Sequence, residues 1–176
     1  MAYRWIYRTP DGFSDLLLTG DGESLTGLCF LQSRDAERKA DADAETERSV
    51  FAETIGWLEI YFGGGIPDFT PRYRIEGLTD FRRAVTEIML SVPYGETITY
   101  GEIAKALAAE RGLKRMSAQA VGGAVGWNPL CLIVPCHRVI GKNGALTGYG
   151  GGMQNKIALL RLEGHEMREL RGKSKQ

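Results

Sequence analysis

Apolar positions along this chain alternate between two spacings, and the change of period divides it. Tyr3 to Tyr7 is aromatic and β-rich. Leu16-Leu17-Leu18-Thr19 and Ser24 to Leu31 flank Gly20-Asp21-Gly22-Glu23, a turn signal between two strands of a hairpin. From Glu47 to Phe62 the spacing becomes helical, with Phe51, Ile55, Leu58 and Phe62 on one face, until Gly63-Gly64-Gly65 stops it. Pro67 to Ile75 predicts one more strand. Helical spacing returns over Asp80 to Leu90, which turns Phe81, Val85, Ile88 and Met89 inward. Thr99 and Glu102 form a capping-box pattern, so a helix starts near Tyr100 and carries Ile103, Ala104 and Leu107 inward. Ser117 is a candidate N-cap for Ala118 to Val125. Leu130 to Val134, bounded by Asn128-Pro129 and Pro135, predicts a buried strand. Gly141-Lys142-Asn143-Gly144 predicts a hairpin turn. Met153 to Glu163 predicts a last helix that buries Ile157, Leu160 and Leu162, with Gly164 in C-cap position.

Two domains follow from this order. Residues 1–78 form an α/β unit, and residues 79–176 form a mainly α unit, with the boundary near Gly77-Leu78-Thr79. Residues 33–48 are charged and predict a solvated loop or a polar lead into the first helix. Arg168 to Gln176 is a basic tail. Helix, turn and small-residue helix over residues 100–125 is the outline of a helix-turn-helix. Lys114 and Arg115 stand just before its second helix. The connection from Glu110 to Met116 is long for a tight DNA-reading turn.

The composition is that of a folded chain: 43% hydrophobic and 25% charged among 176 residues. There is no apolar stretch of membrane-spanning length and no signal-peptide core, which predicts a cytoplasmic protein. Three cysteines (Cys29, Cys131, Cys136) and two histidines (His137, His165), with no C-x-x-C, argue for free thiols and against structural zinc. A net charge of zero conceals an asymmetry. Residues 1–78 hold 8 Lys/Arg against 14 Asp/Glu, and residues 79–176 hold 14 against 8. A basic C-terminal half fits an anionic partner, nucleic acid foremost, although charges scattered over a solvated surface would give the same count.

The candidate chemistry sits at Pro135-Cys136-His137-Arg138. A thiol becomes a nucleophile when a nearby base or cation stabilises its thiolate. His137 is adjacent in sequence, but neighbours in an extended chain face opposite ways, so a turn or a bridging water is required. A histidine base needs an orienting group. Glu163 is the best candidate, because a carboxylate at a helix C-terminus is poorly placed electrostatically and needs another reason to be there. Asn128 suits a role in tying down the turn. Taken alone, the adjacency also fits a buried cysteine beside a surface histidine. Leu146 to Gly152 is a glycine-rich loop without the lysine of a P-loop, suited to close backbone approach to a ligand or to the thiol.

Pro135-Cys136-His137-Arg138-Val139 preceded by Asn128-Pro129 resembles the signature of the DNA alkyltransferases that repair O6-alkylguanine. Pro93-Tyr94-Gly95, Tyr100-Gly101-Glu102-Ile103-Ala104, Ala120-Val121-Gly122-Gly123-Ala124, Gly148-Tyr149 and the stretch 159–164 follow in family order. The resemblance implies a ribonuclease H-like N-terminal domain and a C-terminal domain with a DNA-binding helix-turn-helix. It implies that Cys136 accepts the alkyl group irreversibly, once per molecule. His137, through a water, and Glu163 would generate the thiolate, and Asn128 would buttress the turn. Tyr100 would press on a DNA phosphate, and Tyr149 and Gly150 would border the guanine pocket. Arg115, Ser117, Gln119 and Arg138 complete the expected DNA and substrate contacts. The implied partner is double-stranded DNA bearing alkylated guanine, or O4-alkylthymine as a further substrate. The implied protein is a monomer that needs no cofactor or metal. Gln119 stands where the family commonly has an intercalating arginine, Gly126 and Trp127 where a basic residue often occurs, and Gly150 where some members have serine. The competing readings are a damage-binding relative without transfer and an unrelated Cys-His hydrolase. The first lacks the cysteine, and the second leaves the basic helix pair unexplained.

Overall fold

The computed structural model describes residues 3–31, 33 and 48–166. The charged segment and the basic tail predicted from sequence fall almost entirely outside these residues. Strands β1 (Tyr3–Tyr7), β2 (Leu16–Gly20) and β3 (Leu25–Phe30) form an antiparallel sheet in that order. The predicted hairpin is the β2–β3 pair, and Asp21 closes it by accepting from the Glu23 and Ser24 amides. Helix α1 runs over Ala52–Phe62 after a 3-10 turn at Arg48–Phe51, so the α-helix starts five residues later than its apolar spacing suggests. Pro67 to Ile75 is not a strand: it contributes one bridge, Tyr73 to Leu25.

Helices α2 (Asp80–Leu90), α3 (Tyr100–Glu110) and α4 (Ala118–Gly126) pack on one another. Their starts obey the capping signals. Thr79 accepts from the Arg82 amide, Ser117 from the Ala120 amide, and Thr99 with Glu102 makes the complete reciprocal box. Strand β4 (Ile98–Thr99) pairs parallel with β5 (Val139–Ile140). The Gly141–Gly144 stretch is therefore not a hairpin. It is a tight turn with Asn143 at φ 59° that leads into the glycine loop. Helix α5 (Met153–Leu162) buries Asn155, Lys156, Leu159 and Leu160, whereas Ile157 and Leu162 are only partly covered. Two of its inward positions are polar because they bond to backbone and loop atoms, which apolar spacing cannot register.

One core runs through both halves. Leu16, Phe30 and Tyr61 belong to the same buried cluster as Val85, Ile103, Val121 and Leu159. The structure also ties the halves by polar contacts. Ser14 and Asn155 exchange hydrogen bonds, and Arg82 lies 4.1 Å over the Trp127 ring while donating to the Gly77 carbonyl.

Candidate active site

The run 130–134 is buried as expected, but it is a turn rather than a strand. Only its first residue bridges to Leu28; Pro129 and Pro135 bracket it, and a proline cannot donate to a ladder. Leu132 turns at φ 70°, and the Val134 amide donates back to the Leu130 carbonyl at 2.9 Å. Asn128 cinches this loop. Its Nδ2 donates to the Val134 carbonyl at 2.8 Å and to the Leu130 carbonyl at 3.4 Å, and its Oδ1 accepts from the Leu130 amide at 3.1 Å.

The turn delivers Cys136 and His137 into a single 3-10 turn, Cys136–Arg138. This breaks the opposite-face geometry of an extended chain. The Cys136 thiol lies 3.8 Å from the Tyr149 hydroxyl and lines a cavity with Tyr100, Gly122, Asn128, Tyr149 and Gly150. The glycine loop meets this wall closely: a Cβ on Gly151 would come within 2.7 Å of the Phe30 and Tyr149 rings. Burial pushes the Cys136 thiol up from its ordinary value, against the pull of Asn128, Tyr149 and Lys156. A resting thiol is thus favoured, and a base must remove its proton.

The candidate base is the next residue. His137 is wholly buried, and its Nε2 lies 2.8 Å from Glu163 Oε1. Glu163 also accepts from Tyr61 Oη at 2.7 Å, from Arg138 Nε and Nη2 at 2.9 Å each, and from the Gly95 amide at 3.2 Å. Gly95 can present that amide because it turns at φ 78°, a conformation that side chains disfavour. Burial would raise the Glu163 carboxyl, but the bonds from His137 and Arg138 outweigh it and hold the group far below the usual carboxylate range. Burial holds the imidazole below its ordinary value, against the pull of Glu163. With Nε2 as donor to an ionised carboxylate, Nδ1 is the basic nitrogen, and it has no partner among the described residues. The arrangement has a neutral imidazole with its lone pair free and a carboxylate ready to stabilise imidazolium.

The remaining expected residues divide. Tyr100 is the first residue of α3 and lines the cavity beside Gly122. Arg115, Ser117 and Gln119 lie exposed around the start of α4. Arg138 does not face outward. Its guanidinium grips Glu163 and donates to the Val92 carbonyl, because the buried carboxylate needs a counter-charge that outward exposure would remove. Two residues were not expected at all. Tyr61 reaches the site from α1, concealed in sequence as one more apolar helix position. Lys156 is fully buried, with Nζ 2.6 Å from the Val139 carbonyl and 3.5 Å from the Thr147 carbonyl. Desolvation pushes it down to about 8. A lysine in register with Leu159, Leu160 and Glu163 on the inner face of a helix was a readable signal.

A family model described as the DNA-binding domain of 6-O-methylguanine DNA methyltransferase matches residues 80–165. A methylated-DNA–protein-cysteine methyltransferase from Methanosarcina acetivorans is 41% identical over 162 residues, covering 92% of this chain and 98% of the relative. Its counterpart from Mycobacterium bovis is 42% identical over 158 residues, covering 89% and 91%. The crystal structure of Mycobacterium tuberculosis O6-methylguanine methyltransferase superposes with a TM-score of 0.76 at 40% identity, covering 93% of both chains. The Mycobacterium tuberculosis protein crystallised in complex with DNA gives 0.75 at 38%, covering 92% of this chain and 91% of that one. With identity above 40% across nearly its whole length, the chain belongs to the methylated-DNA–protein-cysteine methyltransferase family.

Proposed function

We propose that the protein repairs DNA by direct reversal, taking the alkyl group of O6-alkylguanine onto Cys136. The observation that carries this reading is the buried Glu163–His137 pair behind a thiol that faces a cavity. Nδ1 of His137 takes the thiol proton through a water, Glu163 stabilises the imidazolium, and sulfur displaces guanine from the alkyl carbon in line. The carbon–oxygen bond breaks as the carbon–sulfur bond forms. A thioether has no hydrolytic route back, so each molecule acts once and needs no cofactor.

The base must leave the duplex to reach the thiol, at a cost of a few kcal/mol in unstacking. We assign delivery to a helix-turn-helix formed by α3 and α4. The exposed Lys105, Arg111, Lys114 and Arg115 around it support binding to double-stranded DNA. Tyr100 presses on a phosphate, Gln119 fills the gap left by the rotated nucleotide, and Tyr149 and Gly150 border the guanine. In this reading residues 1–78 are a ribonuclease H-like unit, residues 79–176 carry the chemistry, and the protein works as a cytoplasmic monomer.

The test is a peptide mass map after incubation with a duplex carrying O6-methylguanine. Stoichiometric methylation at Cys136 is expected. Binding without a mass change would instead mark a damage-binding protein, and absence of both binding and methylation overturns the reading. Cys136→Ala abolishes transfer and keeps DNA binding; loss of binding in the folded variant overturns this division of roles. Gln119→Arg preserves or raises the rate on duplex DNA, because a guanidinium adds charge and planar stacking to the gap. A large fall in that rate would show that the glutamine is tuned to this protein.

A further inference from the structure

The cavity at Cys136 has two further thiols in its wall, Cys29 and Cys131. Cys131 and Cys136 are similarly buried, 6% and 7% exposed, and share one core cluster. The backbone between them is folded back on itself. The Ile133 amide donates to the Cys131 carbonyl at 2.9 Å, the Val134 amide to the Leu130 carbonyl at 2.9 Å, and the Cys136 amide to the Val134 carbonyl at 2.8 Å. Asn128 Nδ2 bridges the carbonyls of Leu130 and Val134, so the two arms that carry the cysteines are held together. Ionisation of either sulfur would push the Tyr149 hydroxyl up, so both lie near it. Cys29 also lines the cavity, but it is fixed on β3 opposite Leu17, packs with Leu17 in a separate cluster, and lies outside the turn that Asn128 binds.

Alkyl acceptance requires nothing of Cys131. The same proton removal that arms Cys136 also makes it oxidisable. For a single-use acceptor, oxidation beyond the sulfenic acid discards the molecule. We propose that Cys131 is a resolving thiol, which captures oxidised Cys136 as an intramolecular disulfide and so keeps the acceptor recoverable. The inference rests on the reading of Cys136 as the residue that forms a thiolate.

The chemistry balances with a peroxide as oxidant. The Cys136 thiolate attacks one oxygen of hydrogen peroxide, the O–O bond breaks to leave a sulfenic acid, and the hydroxide released takes the proton held on His137 and becomes water. The Cys131 sulfur then attacks the sulfenic sulfur, its proton leaves with the hydroxyl as a second water, and the S–S bond closes. Two electrons pass from the two thiols to peroxide, and a dithiol reductant returns them. The ring that closes spans residues 131–136, and the Val134 amide already reaches back to the Leu130 carbonyl beside Cys131.

The experiment uses the full-length protein and hydrogen peroxide, followed by iodoacetamide and trypsin. Residues 116–138 form one tryptic fragment that contains both thiols, while Cys29 falls in the fragment 9–34. After oxidation, the 116–138 fragment is expected to be lighter by two hydrogens and unlabelled by iodoacetamide. Methyl acceptance from an O6-methylguanine duplex is lost, and dithiothreitol restores most of it. In Cys131→Ser, Cys136 instead gains two or three oxygens. Recovery, expressed as a fraction of that variant's untreated acceptance, is several-fold lower than in wild type. A wild-type protein that accumulates sulfinic Cys136 with no lighter fragment overturns the proposal, and so does a cross-link between the two fragments through Cys29. That result is read from wild type alone, so it does not depend on the variant folding. If untreated wild type takes no methyl group, the reading of Cys136 as acceptor fails; if it takes the methyl group but forms no disulfide, only the resolving role fails.

Discussion

Glu163 satisfies more donors than any other side chain of the site, and the donors are unequal. His137 and Arg138 are charged or become charged during the reaction, whereas the Tyr61 hydroxyl and Gly95 amide are neutral dipoles. Glu163→Gln leaves the Arg138 guanidinium without its counter-charge in a buried setting. It is expected to cost about 3–5 kcal/mol in urea unfolding. Transfer to Cys136 slows by ~100-fold or more in single-turnover assays, because the imidazolium loses its stabiliser. Tyr61→Phe removes one neutral donor and leaves the ion pair intact. It is expected to cost about 1 kcal/mol and to slow transfer only a few-fold. Equal losses in the two variants would show that the hydroxyl is itself part of the proton path. Glu163 was legible in sequence as a carboxylate at the wrong end of a helix. Of its partners only His137 was, since Tyr61 comes from α1, Gly95 from the turn after α2, and Arg138 was expected to face DNA or substrate.

Among elements, the sequence was most readable where a side chain satisfies a local backbone group. The caps at Thr99 and Ser117 start their helices as read, because an N-cap answers amides only two or three residues away. Thr99 matters beyond stability, since Tyr100 is the first residue of the helix that it caps. Thr99→Ala is expected to lose about 1 kcal/mol. It should slow transfer from duplex DNA more than transfer from free O6-benzylguanine, which needs no base rotation. Equal slowing on the two substrates would separate Tyr100 from the flipping step. The run 130–134 was the least readable element. A buried apolar pentapeptide has the same pattern as a strand or a turn, and Asn128 and two prolines decide for the turn.

At the scale of the whole molecule, buried charge makes stability depend on pH in two windows. His137 is held below its ordinary value of 6.5, so the unfolded chain takes up a proton that the folded chain refuses. Stability therefore falls as pH drops below about 6.5. Glu163 extends the loss below its ordinary 4.5, where the unfolded carboxyl protonates before the folded one. Lys156 acts on the alkaline side. It titrates at about 8 when folded and 10.5 when unfolded, so its burial penalty is full below pH 8 and is relieved as pH rises toward 10.5. The stability of wild type relative to Lys156→Met should rise across that window by up to about 3 kcal/mol in chemical denaturation. A flat difference would mean that the amine stays charged in the folded protein.

The sequence by itself determined the order and type of the helices, the β2–β3 hairpin, the caps, the Pro-Cys-His-Arg segment and the charge division between the halves. Apart from the charge division, which is a property of composition, each depends on residues within a few positions of one another. Only the tertiary structure decided that β4 and β5 run parallel, that Arg138 turns inward, that Tyr61 crosses from the first half to Glu163, and which carbonyls hold the buried Lys156. These are choices about how buried polar groups find partners. Such partners lie far apart in the chain, and packing alone brings them within hydrogen-bonding distance.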